Sequence, residues 1–134
     1  LVFGTLHTNN ARKTVDRIID AFPSNQQEQI RTMLANSLRA VCAQLLLKRS
    51  DGGGRLAVNE ILVGNNAVAS IIREGATMKL NDVLKTGKAE GMQLMDDAID
   101  GHLKAGRISS MEAYMKAIDK LRFQELLPKD AGIG

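Results

Sequence analysis

Apolar side chains recur along this chain in two rhythms, one typical of strands and one typical of helices. Leu1–Leu6 is a short apolar stretch that runs into a polar loop, which predicts a strand. Asn9 and Asn10 follow, and either can cap a helix because its side-chain oxygen accepts an orphan backbone N–H. Residues 11–22 then carry apolar side chains at helical spacing, and Pro23 ends the predicted helix.

The middle of the chain changes from the helical to the strand pattern. Ser24 and Gln27 have the spacing of a capping box, which predicts a second helix whose buried face extends to Val41. Residues 43–63 contain two apolar runs around the glycine-rich turn at 52–54. This arrangement predicts an antiparallel hairpin.

The second half of the chain is predicted to be helical up to a frayed tail at 128–134. Asn65 or Asn66 caps the first of these helices, and Gly75 ends it. Three more helices are predicted: one around 80–84, one with apolar positions from Met92 to Leu103, and one that starts at the Ser109–Glu112 capping box and carries Met111, Met115, Ile118 and Leu121.

Composition excludes several classes of protein. The 18 basic and 15 acidic residues leave a net charge of only +3, and aromatic residues make up 3% with no Trp, so a base-stacking nucleic-acid surface is not expected. No apolar run approaches the roughly 18 residues of a membrane span. The single cysteine, Cys42, excludes an internal disulfide and is predicted to lie in the core as a small apolar residue.

Phosphate-binding and metal-binding motifs are also absent from the sequence. No G-x-x-x-x-G-K-[ST] segment occurs, and the triple glycine at 52–54 leads into a strand rather than the helix that a phosphate loop requires. The one cysteine and two histidines are widely separated, which argues against a zinc site.

Polar residues cluster where the first predicted strand ends. His7 lies among the hydroxyls of Thr5 and Thr8 and the amides of Asn9 and Asn10. Ligands of α/β sheets bind at the carboxyl ends of strands, so this cluster is a candidate donor set for an anionic group. The alternative is that His7 is structural and the asparagines only cap a helix.

Two further positions have simpler interpretations. His102 lies beside an apolar helix face and is predicted to be a partly buried packing residue. Arg73 and Glu74 end a helix, where a basic residue suits the helix dipole, and they are either solvated or in contact with another subunit.

Several short blocks, taken in order, match one family. Gly4–Thr8 reads GTLHT, residues 14–23 read TVDRIIDAFP, and 53–55, 60–61 and 91–93 supply further matching positions. The first block resembles the His box of the secretion ATPase superfamily, the hexameric motors of type II secretion and type IV pili. The second resembles the T-x-D-R-h-h-D-x-F-P stretch that follows that box.

Residues 67–74, AVASIIRE, resemble the A-I-R-N-L-I-R-E motif of the pilus-retraction branch of the superfamily, the PilT branch. Ala69 and Ser70 replace the Arg and Asn of the motif, and Asn59 stands where a His is common. These departures leave open whether the protein resembles the principal retraction motor or a paralogue of it.

The resemblance implies a helix-rich α/β fold, namely the C-terminal portion of a RecA-like P-loop ATPase domain. The Walker A, Asp-box and Walker B segments of the family precede the His box and are absent here, and the chain begins at Leu1 rather than Met, so we expect a fragment. Residues 1–63 would end the ATPase core, 64–127 would form a helical subdomain, and 128–134 would be the tail.

The resemblance also implies ATP hydrolysis with Mg²⁺ in a homo-hexameric ring that drives pilus retraction, seen in cells as twitching motility. His7 would be the catalytic residue near the γ-phosphate, and Thr5 and Thr8 would be further nucleotide contacts. The retraction motif would transmit motion through Ala67, Ile71, Ile72, Arg73 and Glu74. The protein would be cytoplasmic, held at the inner membrane by the pilus machinery, with no nucleic-acid partner and no transmembrane segment.

Two alternatives remain at this point. The chain could be a fragment of a type II secretion or pilus-assembly ATPase, whose motor pushes rather than pulls. It could also be a non-enzymatic helical interaction domain, in which the polar cluster at His7 serves only as helix-capping chemistry.

Overall fold

The computed structural model describes residues 1–128 and has a helix-rich α/β fold, which confirms the predicted fold class. Residues 129–134, most of the predicted tail, lie outside the described part. The helices are α1 Ala11–Asp20, α2 Gln27–Ser37, α3 Asn66–Glu74, α4 Leu80–Thr86, α5 Met95–Lys104, α6 Ser110–Lys116 and α7 Leu121–Gln124. The strands are β1 Ala40–Lys48 and β2 Arg55–Val63, and 3-10 turns occupy Thr77–Lys79 and Gly87–Glu90.

The chain divides into two compact units, each made of two separate stretches of sequence. Unit 1 contains Leu1–Gln44 and Glu60–Leu94, and unit 2 contains Leu45–Asn59 and the chain from Met95 onward. These packing units differ from the predicted subdomains, which divide the chain after residue 63. The predicted subdomains are defined by function and stay a prediction.

The two strands form the predicted antiparallel hairpin. Gly64 N–H donates to Arg39 C=O at 2.8 Å at the open end, and Arg49 N–H donates to Gly54 C=O at 3.0 Å beside the turn. Pairing in β1 begins at Ala40, three residues before the predicted start. The hairpin is therefore confirmed, with a longer first strand than the apolar run indicated.

Each unit has its own apolar core. Among the described residues of unit 1, the core is formed by side chains of α1, α2, α3 and α4, by the open end of the hairpin and by Met92: Ala11, Val15, Ile19, Ala35, Val41, Leu62, Val68, Ile71, Ile72, Leu80, Leu84 and Met92. In unit 2 the core is Leu47, Val58, Met95, Ile99, Ile108, Ala113, Ala117 and Phe123. Within residues 1–128, no helix is long and apolar enough to cross a membrane.

Leu1–Leu6 is not a strand, contrary to the prediction. The side chains of Leu1, Val2 and Phe3 are 97%, 91% and 89% exposed, and the sheet in the described part contains only β1 and β2. A strand exists only where a neighbouring strand accepts and donates its backbone hydrogen bonds. The β-forming composition of this segment is therefore not sufficient by itself.

The second helix ends earlier than predicted. It stops at Ser37, and Val41 belongs to β1 rather than to a helix face. The predicted capping role of Ser24 is wrong, because the N-cap position is Gln26 and no side chain caps the helix. The Gln27 amide instead donates to Phe22 C=O at 3.1 Å.

Cys42 is exposed, so the predicted core position is wrong. Its neighbours Val41 and Ala43 are 8% and 4% exposed. Side chains alternate between the two faces of a strand, so burial of both neighbours turns Cys42 to the opposite face. The prediction treated the segment as a continuous buried run.

The last predicted helix is interrupted. Ser109 caps α6 as predicted, accepting from Glu112 N–H at 3.1 Å, but α6 ends at Lys116 and Ala117 is extended. The buried carboxylate of Asp96 accepts from Ile118 N–H at 2.9 Å and Asp119 N–H at 2.8 Å. These bonds fix the backbone outside the helical path, and the predicted apolar positions Met115, Ile118 and Leu121 are 58%, 42% and 76% exposed.

Gly64 has a close-packed place at the open end of the hairpin. A Cβ atom there would lie 2.3 Å from Leu38 C=O, an atom of the backbone. We expect Gly64→Ala to lower the free energy of unfolding by about 1–3 kcal/mol, since the backbone must shift to admit the methyl group. Gly101→Ala is the matched control, because nothing lies within 4 Å of that Cβ position in α5, and it should be neutral or stabilising. Denaturant unfolding gives the free energy of unfolding of both variants. Equal values for Gly64→Ala and Gly101→Ala would contradict the prediction.

Candidate functional site

The predicted polar cluster lies on the segment that leads into α1. Thr5 and His7 are exposed, while Thr8 and Asn9 are partly buried and Asn10 is buried. Asn10 is the N-cap of α1, and its side-chain oxygen accepts from Lys13 N–H at 2.7 Å. This confirms the predicted capping by one of the two asparagines and places His7 four residues before the start of a ten-residue helix.

Hydroxyl groups hold this segment against α1. Thr14 Oγ1 donates to Asn10 C=O at 2.8 Å, and Thr8 Oγ1 lies 2.6 Å from Thr14 Oγ1. A hydroxyl has a single hydrogen, and that of Thr14 is used on the carbonyl, so Thr8 is the donor in the pair. Thr8, the residue after His7, is thus hydrogen-bonded to α1. Its hydroxyl hydrogen is used in that bond.

A buried carboxylate, Glu60, supports the start of α1. Its side chain is 1% exposed, and Oε1 accepts from Ala11 N–H, the first amide of the helix, at 2.8 Å. Glu60 belongs to one of the matching family blocks in the sequence, and this contact was not predicted. The sequence does contain a signal for a buried charge. Glu60 stands between Val58 and Leu62, and these three alternate positions of β2 are the buried ones.

Charged groups of both signs lie near this segment. The first turn of α1 contains Arg12 and Lys13 and no acidic residue, but the Glu60 carboxylate occupies the first amide of the helix and Arg12 lies 3.9 Å from Asp16. A cleft of about 930 Å³ within unit 1 is lined by Thr5, Thr8 and Thr14 together with many apolar side chains, and His7 is not part of its lining. The arrangement can present donors from Thr5 and His7 to a phosphate-like group.

The retraction-motif residues lie on α3. Ile71 and Ile72 are buried in the core of unit 1, whereas Ala67, Arg73 and Glu74 are exposed. Arg73 donates to the Asn36 side chain of α2 at 3.4 Å, and α3 ends at Gly75, whose φ of 71° is the predicted left-handed cap. The motif thus presents its charged end on the surface while its apolar residues hold α3 in place.

Ser70, which replaces the Asn of the family motif, has a definite contact. Its hydroxyl donates to Glu74 Oε1 at 3.2 Å, one helical turn along α3. In the part of the chain that the structure describes, no hydrogen bond or ion pair joins Thr5, His7 or Thr8 to Arg73 or Glu74. The candidate residues therefore form two separate groups within unit 1.

Metal ligands are not clustered in the described residues: no group of three or more His, Cys, Asp or Glu side chains is placed to hold an ion. The amide oxygen of Asn9, two residues after His7, is buried with no hydrogen-bond partner. An oxygen acceptor without a donor matches a ligand that brings N–H or O–H groups, such as a sugar hydroxyl or a bound water, better than a bare phosphate.

His102 lies in unit 2, at the end of α5, and is partly buried as predicted. Arg107 Nη1 is 3.2 Å from His102 Nδ1. Partial burial of the imidazole, and then the positive charge of Arg107, lower the pKa of His102 below its ordinary value of 6.5. This histidine has a structural environment, and nothing near it in unit 2 resembles the His7 cluster.

Removal of the Arg107 charge should raise the pKa of His102. We expect Arg107→Gln to move the NMR-monitored titration of His102 upward, whereas Lys104→Gln, which removes a charge paired with Asp100 at 2.8 Å, should not. Because the folded pKa lies below the unfolded one, the native state loses stability as the pH falls below about 6.5. The Arg107→Gln variant should lose less stability over this pH range. An unchanged titration of His102 in that variant would contradict the effect assigned to the Arg107 charge.

Comparisons with known proteins identify relatives of the chain. No protein-family model matches it. A twitching motility protein of Neisseria gonorrhoeae is 50% identical over 117 residues, which are 87% of this chain and 31% of that protein. The type IV pilus retraction ATPase PilT of Pseudomonas aeruginosa is 43% identical over 117 residues, 87% of this chain and 34% of that protein.

A solved structure agrees with these sequences. The crystal structure of the pilus retraction motor PilT with bound ADP superposes with a TM-score of 0.81 at 36% identity, covering 93% of this chain and 34% of that chain. The chain thus spans about a third of the length of the curated relatives it matches. The predicted resemblance to the retraction branch is confirmed along most of the chain.

Proposed function

We propose, on the premise that this chain is a PilT-like sequence, that it forms part of an ATP-hydrolysing motor that retracts type IV pili. The observation that carries the proposal is the similarity to twitching-motility and retraction proteins over 87% of the chain. The exposed His7 segment supports it further, because the imidazole and the Thr5 hydroxyl can donate hydrogen bonds to a phosphate group.

The proposed part of the chain in hydrolysis is to stabilise negative charge. Donors placed where charge develops on a transferring phosphoryl group lower the barrier to its transfer. We assign this to His7, which is exposed and near the helix end, with Thr5 as a second contact. Thr8 contributes either by donating after its bond to Thr14 opens, or by holding His7 in place through that bond.

ATP with Mg²⁺ is the proposed substrate, and the ion supplies charge neutralisation on the phosphate oxygens. The solved relative binds ADP, which supports nucleotide use. The side chains of residues 5–8 fit phosphate oxygens, since they offer N–H and O–H donors. They offer no carboxylate, so we expect the ion to be held by the phosphates rather than by this segment.

The proposal extends to assembly and location. We infer a homo-hexameric ring in the cytoplasm, held peripherally at the inner membrane by the pilus machinery. In this arrangement residues 1–63 act with the ATPase core and 64–127 form the moving helical part. The exposed pair Arg73 and Glu74 then transmits motion or contacts the pilus machinery.

Two other functions fit less well. A pushing motor of the secretion or pilus-assembly type would share the His box, but residues 67–74 resemble the retraction motif, and the relatives named above are retraction or twitching proteins. A passive helical interaction domain would explain the caps of α1 and α3. It would not explain the similarity to retraction and twitching proteins over 87% of the chain.

The test uses the full-length protein that carries this chain. We expect the purified protein to hydrolyse ATP and a strain lacking its gene to lose pilus retraction, with both restored by the intact gene. The 134-residue chain alone should neither hydrolyse ATP nor bind it tightly, because it has no phosphate loop to supply most phosphate contacts. Micromolar ATP binding by the isolated chain that is lost in His7→Ala would contradict this expectation, and retained retraction in the deletion strain would refute the function.

A further inference from the structure

Glu60 is a charged side chain in a place where charge is costly. At 1% exposure on β2, its carboxylate is removed from water and must be compensated by hydrogen bonds or opposite charge. One compensating bond is the 2.8 Å contact from Ala11 N–H. This donor is the first amide of α1, which carries part of the positive end of the helix dipole.

The contact with Ala11 begins a short series of bonds that leads back toward His7. Ala11 follows the N-cap Asn10, whose carbonyl accepts from Thr14 Oγ1 at 2.8 Å. Thr14 in turn accepts from Thr8, the residue after His7, at 2.6 Å. The position of the helix start therefore sets the position of the residue next to the imidazole.

Direct contact of Glu60 with a phosphate is disfavoured by its chemistry. A carboxylate repels an anion, and this one is buried below the helix start rather than exposed beside Thr5 and His7. Its position suits a support for the segment that carries the donors. Placement matters in such sites, because a shift of about 1 Å in a reacting or stabilising group can lower the rate about 100-fold.

We propose that Glu60 is a positioning residue, which anchors the first amide of α1 and thereby holds His7 where it contacts the nucleotide phosphate. The proposal rests on the proposed function of His7. The anchoring itself is independent of catalysis, since it concerns only the bond between Glu60 and Ala11 and the order of the segment before the helix.

The experiment compares two substitutions of Glu60 in the full-length protein. Glu60→Met keeps the approximate volume and removes the acceptor, and Glu60→Gln keeps an acceptor oxygen. We expect Glu60→Met to lower ATP turnover about 10- to 100-fold and Glu60→Gln to retain most of it. Thr77→Val is the matched control, because it removes a 2.8 Å bond to Asp16 in the middle of α1, away from His7.

A double-mutant cycle with His7→Ala separates positioning from general loss of structure. If Glu60 acts through His7, Glu60→Met should cost little or nothing further once His7 is absent. Equal losses in both backgrounds would overturn the proposal, as would wild-type turnover in Glu60→Met or an equal loss in Thr77→Val. Thermal melting identifies a variant that fails to fold, and Glu60→Leu, which also lacks an acceptor, then takes the place of Glu60→Met in the cycle.

Amide hydrogen exchange over residues 8–13 gives a result that does not depend on hydrolysis. We expect faster exchange in Glu60→Met and near wild-type exchange in Glu60→Gln, and unchanged exchange in Glu60→Met would overturn the anchoring. If His7→Ala alone leaves turnover unchanged, the proposed role of His7 fails, and the exchange result still decides whether Glu60 anchors the segment.

Discussion

His7→Ala should lower ATP turnover of the full-length protein by about 100-fold at saturating ATP. The imidazole is exposed four residues before α1, beside the exposed hydroxyl of Thr5 on the same segment, where both groups can donate to a phosphate. Loss of one well-placed donor to developing negative charge typically costs a factor of this size. Steady-state hydrolysis, measured with enough ATP to exclude a binding effect, gives the comparison.

His102→Ala is the matched control for this measurement, since it removes the other histidine of the chain from unit 2. We expect its turnover to remain close to that of the unaltered protein. If His7→Ala also turns over ATP at the unaltered rate, His7 is a structural residue of the loop, and the chemistry must be assigned elsewhere.

Replacement of both Arg73 and Glu74 by Ala should abolish pilus retraction while leaving substantial ATP hydrolysis. Both side chains are exposed at the end of α3, and their contacts run to Asn36 and Ser70 rather than to the His7 segment. Exposed substitutions of this kind usually change stability by no more than about 0.5 kcal/mol. We would measure retraction or twitching in cells, together with the ATPase rate and the melting temperature of the purified variant. This comparison distinguishes a loss of force transmission from a loss of ATP hydrolysis.

A suitable control is the double replacement of Arg49 and Asp51 by Ala. This exposed pair, joined at 2.6 Å near the hairpin turn, has the same charges and lies outside the retraction motif at 67–74, and retraction should survive its loss. Normal retraction without Arg73 and Glu74 would refute the transmitting role. A marked fall in the melting temperature of the Arg73 and Glu74 double variant would show instead that this pair holds α3 in place.

Most features that depend on nearby residues were predicted correctly, the Ser24 cap of α2 being the exception. Asn10, Asn65 and Ser109 cap helices as expected, because an N-cap bond joins a side chain to an amide three residues away. Gly75 ends α3 because a left-handed backbone conformation at the C-cap is a local property, and glycine adopts it without steric cost. The polar residues of the His7 segment were likewise visible without a structure.

Features that depend on a distant partner were missed or mistaken. The β-forming segment Leu1–Leu6 has no neighbouring strand in the described part, and Cys42 faces outward because the core lies on the other side of β1. The break after α6 depends on Asp96, more than twenty residues earlier in the chain. None of these partners is identifiable from the local pattern.

Local sequence was enough to predict the capped starts of α1, α3 and α6, the end of α3 at Gly75, the hairpin and the donor-rich segment at His7, because each follows from the conformational preferences and hydrogen-bonding groups of neighbouring residues. The tertiary structure alone decided which face of each strand is buried and which amide meets the carboxylate of Glu60. That amide belongs to Ala11, 49 residues away in the chain. Such a contact arises only when packing of the apolar core brings distant segments together, since burial of apolar area is not directional and selects no partner in advance.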